Sequence, residues 1–156
     1  MRRRTAGWAN LHDMAFQQTF SIRTRGRGTT DITTTVASRV RDSNISTGIA
    51  HLFVQHTSCS LMLSENADPD VLRDLETLAA RWAPDADPAY LHDAEGDDDM
   101  AAHARSVLSG SSLSIPVGSG VLLLGTWQGI YLWEHRTQPH TRSIVLTVMG
   151  TAIAVG

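Results

Sequence analysis

The last third of the chain is cut into short apolar runs: Ser111 to Val117, Val121 to Leu124, Trp127 to Trp133 and Ser143 to Met149, with Gly, Pro or polar turns between them. Runs of this length bounded by turn residues read as strands, and strands need partners and a buried face. Three more lie upstream. Phe16 to Arg23 alternates imperfectly, Gly48 to Gln55 reads as a buried strand, and Leu61 to Leu63 as another. Helical signals sit between them. Asp31 is a candidate N-cap, and Ile32, Val36 and Val40 recur at four-residue spacing, which predicts a helix to about Ser43 despite three consecutive threonines at 33–35. Asp68-Pro69 opens a second helix with an apolar stripe of Val71, Leu75, Leu78 and Trp82, stopped by Pro84 and Pro88. A third fits Asp98 to Leu108, with Met100, His103, Ala104 and Val107 on its inward face, and stops at Gly110. Strands at both ends and two or three helices between them specify an α+β fold, with a mainly antiparallel sheet or β-sandwich core. The expected organisation is a loose tail over residues 1–14, with Met14 as a second candidate start, and one domain over 15–156.

Charge and composition exclude several function classes. All 13 basic residues are arginine, so no Schiff-base or P-loop lysine exists, and arginine, hydroxyls, backbone N–H groups or a metal must hold any phosphate. A net charge of -3 does not predict binding to nucleic acid or an anionic membrane. No apolar run approaches the roughly 20 residues that span a bilayer, and the arginines at 2–4 are not followed by the apolar stretch of a signal peptide. Cys59 is the single cysteine, so a cytoplasmic location without an intrachain disulfide is expected.

Three segments concentrate chemistry. His92 to His103 holds two histidines and five carboxylates, a donor set suited to zinc or a similar divalent ion. The same Asp97, Asp98 and Asp99 also suit an ordinary helix N-terminus. His56-Thr-Ser58 ends a buried strand and is followed by Glu65, Asn66 and Asp68, where Asp68 reads as a plain cap. Leu124 to Glu134 places Gln128 and Glu134 on the same strand face as Ile130 and Leu132: if that face is buried, Glu134 needs a histidine, an arginine or a metal as partner, and the same pattern equally fits a surface strand whose polar face carries Gln128 and Glu134. Cys59 is a rival nucleophile, although strand geometry turns it toward the core.

Taken in order, His56-Thr-Ser58, Glu65-Asn-Ala-Asp-Pro69, His92-x-x-Glu-Gly96, Met100-x-x-His103, Gly125-Thr-Trp-Gln128 and Glu134 resemble the YjbQ-like family, also called the secondary thiamine-phosphate synthase family. The resemblance runs from about Phe16 to Gly150. It implies a β-sandwich core, a homotrimer and a histidine-lined pocket for a divalent metal, zinc or magnesium, with His56, His92 and His103 as ligands. It further implies a weak transfer reaction joining hydroxymethylpyrimidine diphosphate to thiazole phosphate. In that chemistry Arg142 and Arg136 would clamp phosphate, and Glu95 or Glu134 would orient a ligand or accept a proton. Gln128 would stand close by, and Thr57, Ser58 and Thr126 would donate hydrogen bonds to phosphate oxygens. Departures from the family pattern fall at Asp97, at Ser64 and in Glu134 to Arg142. Metal-dependent phosphoester hydrolysis and non-catalytic metal or metabolite binding are the alternatives.

Overall fold

Each apolar run is a strand in the computed structural model, which describes residues 13–152. The elements in chain order are β1 (Asp13–Arg23), β2 (Gly28–Asp31), α1 (Thr33–Asp42), β3 (Ile45–Val54), β4 (Cys59–Glu65), α2 (Pro69–Trp82), α3 (Asp99–Ser109), β5 (Ser112–Gly118), β6 (Val121–Leu122), β7 (Gln128–Glu134) and β8 (Thr141–Ala152). They form a five-stranded sheet ordered β1-β8-β3-β5-β6 and a three-stranded sheet ordered β2-β7-β4, with every pairing antiparallel. The α+β class follows directly. The expected tail lies outside the described residues up to residue 12, but Asp13 and Met14 already pair with Thr151 and Gly150.

One core joins both sheets and α1. Ala50, Leu52 and Val54 of β3, Ile144, Leu146 and Val148 of β8, and Ile130 and Leu132 of β7 are at most 1% exposed, as are Val36 and Val40 of α1. Their period-two and four-residue spacings are what the sequence displayed. The threonines at the start of α1 are tolerated because they work there. The Thr33 hydroxyl accepts the Ile130 N–H at 2.8 Å, and Asp31 Oδ1 accepts the Thr33 N–H, also at 2.8 Å.

Two helical stripes are rotated from expectation. On α2 the fully buried residue is Ala79, while Trp82 is 58% exposed. Glu76 turns inward to accept the Trp133 indole N–H at 2.8 Å. On α3 the buried face is Ala101, Ala102 and Arg105, and Val107 is 85% exposed. The alanines allow close approach to β4, and Arg105 reaches past them to donate to the Ala83 carbonyl at 2.7 Å. Periodicity placed a stripe on each helix but not its phase. The segment expected as a turn region around Thr24 to Thr30 also yields β2, whose Gly28 lies opposite Glu134.

The centre of the larger sheet depends on a glycine pair. Gly48 and Gly150 face each other across β3 and β8, and a Cβ on Gly48 would sit 2.0 Å from the Met149 carbonyl oxygen. Gly48→Ala is expected to lower unfolding stability by about 1–3 kcal/mol, the usual cost of overpacking against backbone. Gly118→Ala, which meets only the Leu123 side chain at 3.1 Å, should cost less in the same urea titration. Equal stability of Gly48→Ala and wild type would show that the strands can part freely.

Candidate metal centre and the buried polar nest

Asp99 opens α3, and His103 follows it by one helical turn, so both project from the same side of the helix. The loop after α2 carries His92 back to that turn. His92 Nε2 lies 2.7 Å from Asp99 Oδ2, His103 Nε2 lies 3.2 Å from the same oxygen, and the two rings are 5.5 Å apart, centre to centre. These three residues can each offer a ligand atom within 4.8 Å of the others. The Thr57 carbonyl can only accept, so His103 donates Nδ1–H to it at 3.0 Å. A neutral His103 therefore presents a bare Nε2 lone pair to Asp99. A carbonyl fixing the far nitrogen of an imidazole is the usual support for a metal-binding histidine.

Asp99 is held from behind. Arg136 donates through Nη1 to Asp99 Oδ1, through Nε to Asp98 Oδ2 at 3.2 Å and through Nη2 to the Glu95 carbonyl at 2.9 Å. Burial alone would raise the Asp99 carboxyl, but the His92 hydrogen bond and the Arg136 charge outweigh it and hold the group below the usual carboxylate range. Asp98 also accepts the Thr137 amide and hydroxyl. Burial opposes these hydrogen bonds, yet its carboxyl drops to about 2.

A second polar group joins the two sheets. Glu134 and Arg142 are 0% and 3% exposed and form a two-pronged ion pair, with Arg142 Nε 2.7 Å from Glu134 Oε2. Thr24 donates its hydroxyl and Arg136 its amide to the same carboxylate. Arg142 also donates to the Ser58 hydroxyl at 3.0 Å. His56 lies beside this pair. Its Nε2 accepts the Ser143 N–H at 2.9 Å, and its pKa is lowered by burial and then by Arg142.

The expected site therefore divides. His92 and His103 come together with Asp99, whereas His56 stands apart, its Nε2 accepting the Ser143 amide. Arg142 is sealed against Glu134 and Ser58, and Arg136 spends its donors on Asp98, Asp99 and Glu95, so neither presents a free phosphate clamp. Glu95 contributes its carbonyl, and its side chain is exposed. Thr57 supplies a carbonyl as well as a hydroxyl, while Ser58 is buried under Arg142. Gln128 instead closes its own turn by accepting the Gly125 N–H at 2.8 Å, with exposed Thr126 beside it. Gln128 and Glu134 stand at opposite ends of the seven-residue β7, about 20 Å apart at strand rise. Cys59 is fully buried, and burial pushes its thiol up to about 12, which removes it as a nucleophile.

Sequence reading missed two residues. Asp99 suits a helix terminus as well as a metal, and its four-residue spacing from His103 is the signal that pairs them. His135, also fully buried, had no such signal. It shares a 2.9 Å hydrogen bond with the Ser60 hydroxyl and stacks at a tilt on Trp133, 5.0 Å between ring centres.

Comparison with known proteins places this geometry. The sequence model of a family described as UPF0047 protein YjbQ-like matches residues 18–151. The UPF0047 protein sll1880 of Synechocystis is 45% identical over 134 residues, covering 86% of this chain and 91% of that one. The UPF0047 protein YjbQ of Escherichia coli O157:H7 is 41% identical and covers 88% and 99%. A crystal structure titled as a YbjQ-like protein of unknown function from Sulfolobus solfataricus superposes with a TM-score of 0.82 at 26% identity, over 89% of this chain and 99% of that one. An uncharacterised yjbq/upf0047 protein of Clostridium acetobutylicum gives 0.78 at 36% identity, over 84% and 98%.

His135 predicts an acid sensitivity. Burial, then the charge of Arg105, pushes its pKa down to about 3, against 6.5 for the free side chain. The unfolded chain then binds the proton first, so folding stability falls as pH drops from about 6.5 toward 3. The slope from this group is about 1.4 kcal/mol per pH unit. His135→Gln, which keeps a partner for Ser60, is expected to flatten urea-measured stability between pH 6 and 4. An unchanged slope in that variant would assign the sensitivity elsewhere.

Proposed function

The chain belongs to the YjbQ-like UPF0047 family, and on that footing we propose that it is a metal-dependent small-molecule enzyme whose divalent ion is held by His92, Asp99 and His103. One observation carries the reading. His103 Nε2 and Asp99 Oδ2 face each other at 3.2 Å while the other imidazole nitrogen is committed to Thr57. Either a proton on Nε2 or a metal ion between the two atoms makes this contact attractive, and two imidazoles beside one ionised carboxylate are a donor set that suits the metal. Two imidazoles with one carboxylate suit zinc better than magnesium, which favours oxygen ligands. Three protein ligands leave a coordination position for substrate. A hollow of about 410 Å³ lined by His56, Thr57, His103 and Ser106 opens beside His103.

A divalent ion here supplies charge neutralisation for phosphate or pyrophosphate oxygens. The chain's own groups do the positioning. Arg136 fixes Asp99, the Thr57 carbonyl fixes His103, and the exposed Thr57 side chain offers a hydroxyl donor toward a phosphorylated substrate. The specific form of the proposal is the reaction implied by the resemblance: the pyrimidinylmethyl group of hydroxymethylpyrimidine diphosphate passes to the ring nitrogen of thiazole phosphate, a C–N bond forming as the C–O bond breaks and pyrophosphate leaves with that oxygen. The partly exposed imidazoles, 43% for His92 and 32% for His103, also admit water. That favours phosphoester hydrolysis as the second reading.

We further propose a homotrimer. The outer face of the larger sheet leaves Ile49, Phe53 and Met149 between 44% and 52% exposed, an apolar strip suited to burial against another copy. Assembly is also the route by which Gln128 of one copy could meet the centre of another.

Metal analysis of purified protein is expected to give about one zinc per chain, with affinity at least tenfold lower in His92→Ala, Asp99→Asn and His103→Ala, as for lost metal ligands or their supports. His56→Ala should retain the metal. Equal content in all variants would end the metal reading. Metal-loaded protein should release pyrophosphate only when both pyrimidine and thiazole substrates are present. Release without the thiazole establishes hydrolysis, and no turnover of either kind leaves a metal-binding protein. Sedimentation is expected to give three times the 17.0 kDa chain mass, and a monomer would remove the assembly.

A further inference from the structure

The loop Arg23-Thr-Arg-Gly-Arg-Gly-Thr-Thr30 takes no part in the metal centre, yet it lines a hollow of about 340 Å³. We propose that this hollow is a second ligand site, which binds the phosphate group of a small phosphate monoester. Arg23, Arg25, Thr29 and Thr30 all line it. Among the described residues, neither of these arginines has a carboxylate partner and neither threonine hydroxyl has a hydrogen-bond partner. Four side chains that can donate, and no free carboxylate, thus border one cavity.

The neighbouring charges are already satisfied. Arg27, which forms one wall, is bound to both oxygens of Asp85 at 2.7 and 2.9 Å and to the His135 carbonyl at 3.2 Å. Glu134, opposite Gly28 in the sheet, is sealed by Arg142 and Thr24. Two positive charges therefore stand uncompensated in a chain whose net charge is -3.

The loop is also preorganised. A Cβ on Gly26, whose φ is +99°, would lie 2.4 Å from the Thr137 carbonyl oxygen, so only glycine lets the loop seat there. Gly28, with φ +128°, has open space where a Cβ would be, which keeps the floor of the hollow clear. Guanidinium forks and hydroxyls match the oxygens of a phosphate group, and the volume lies at the small end of ligand sites. A hollow of this size, with exposed Arg23 and Arg25 at its edge, favours a small monoester over a nucleic-acid strand, which needs an extended basic track.

Titration of the full chain with methyl phosphate, followed by NMR shifts of the 23–30 backbone amides, tests the site. Saturable binding of one molecule per chain is expected. Arg23→Ala and Arg25→Ala should each weaken it about tenfold, the scale of one lost charge-assisted contact. Arg25→Lys should recover part of the loss, and Arg41→Ala, on an exposed position outside the hollow, should bind as wild type. Metal content of Arg25→Ala should equal that of wild type, so this site and the metal centre can fail separately. Absence of saturation, or equal weakening by Arg41→Ala, would overturn the proposal. So would loss of binding in His103→Ala alone, or tighter binding of a single-stranded oligonucleotide than of methyl phosphate.

Discussion

Glu134 ends β7 in the smaller sheet and Arg142 begins β8 in the larger one, and their buried ion pair ties the two layers at one end of the sandwich. A charge with no access to water is tolerable only when its hydrogen-bonding capacity is filled. Here it is filled: Thr24 and the Arg136 amide complete Glu134, and Ser58 completes Arg142. Burial would raise the Glu134 carboxyl, but Arg142 and the backbone donor hold it below its usual range. The β1–β2 loop, the β3–β4 loop and the β7–β8 connection are all fastened to this one pair.

Arg136 follows from that anchorage. Its amide is fixed on Glu134, so its guanidinium is aimed at Asp98, Asp99 and the Glu95 carbonyl. The start of α3 thereby gains its charge balance, and Asp99 stays ionised although nearly enclosed. An ionised carboxylate beside two imidazoles is the chemical content of the candidate centre. The buried pair and the His92–Asp99–His103 cluster are thus one structure: the first fixes the backbone that orients the second.

Much of this was legible in the residues. Short apolar runs between turn residues specify strands, because period-two burial leaves no other regular conformation for them. Asp68-Pro69 marked the start of α2, and the structure shows Asp68 accepting the Asp70 N–H at 2.9 Å. Glu134, aligned with Ile130 and Leu132, announced a buried carboxylate that required a partner. The convergence of His92 and His103 was visible from their flanking loop and helix.

The phase of each helix was not legible, because Ala101 and Ala102 are as weakly apolar as Ala104, and only the approach of β4 decides which of them it covers. Among the three aspartates, only Asp99 has the four-residue spacing that pairs it with His103. By itself the sequence determined which segments bury a face, where helices begin, and which residue types could meet a cation. Tertiary structure alone decided that His92 meets Asp99 and His103 while His56 turns to the Ser143 amide. The reason is that ligand geometry depends on distances between segments dozens of residues apart, and only packing and hydrogen bonds such as His56 to Ser143 set those distances.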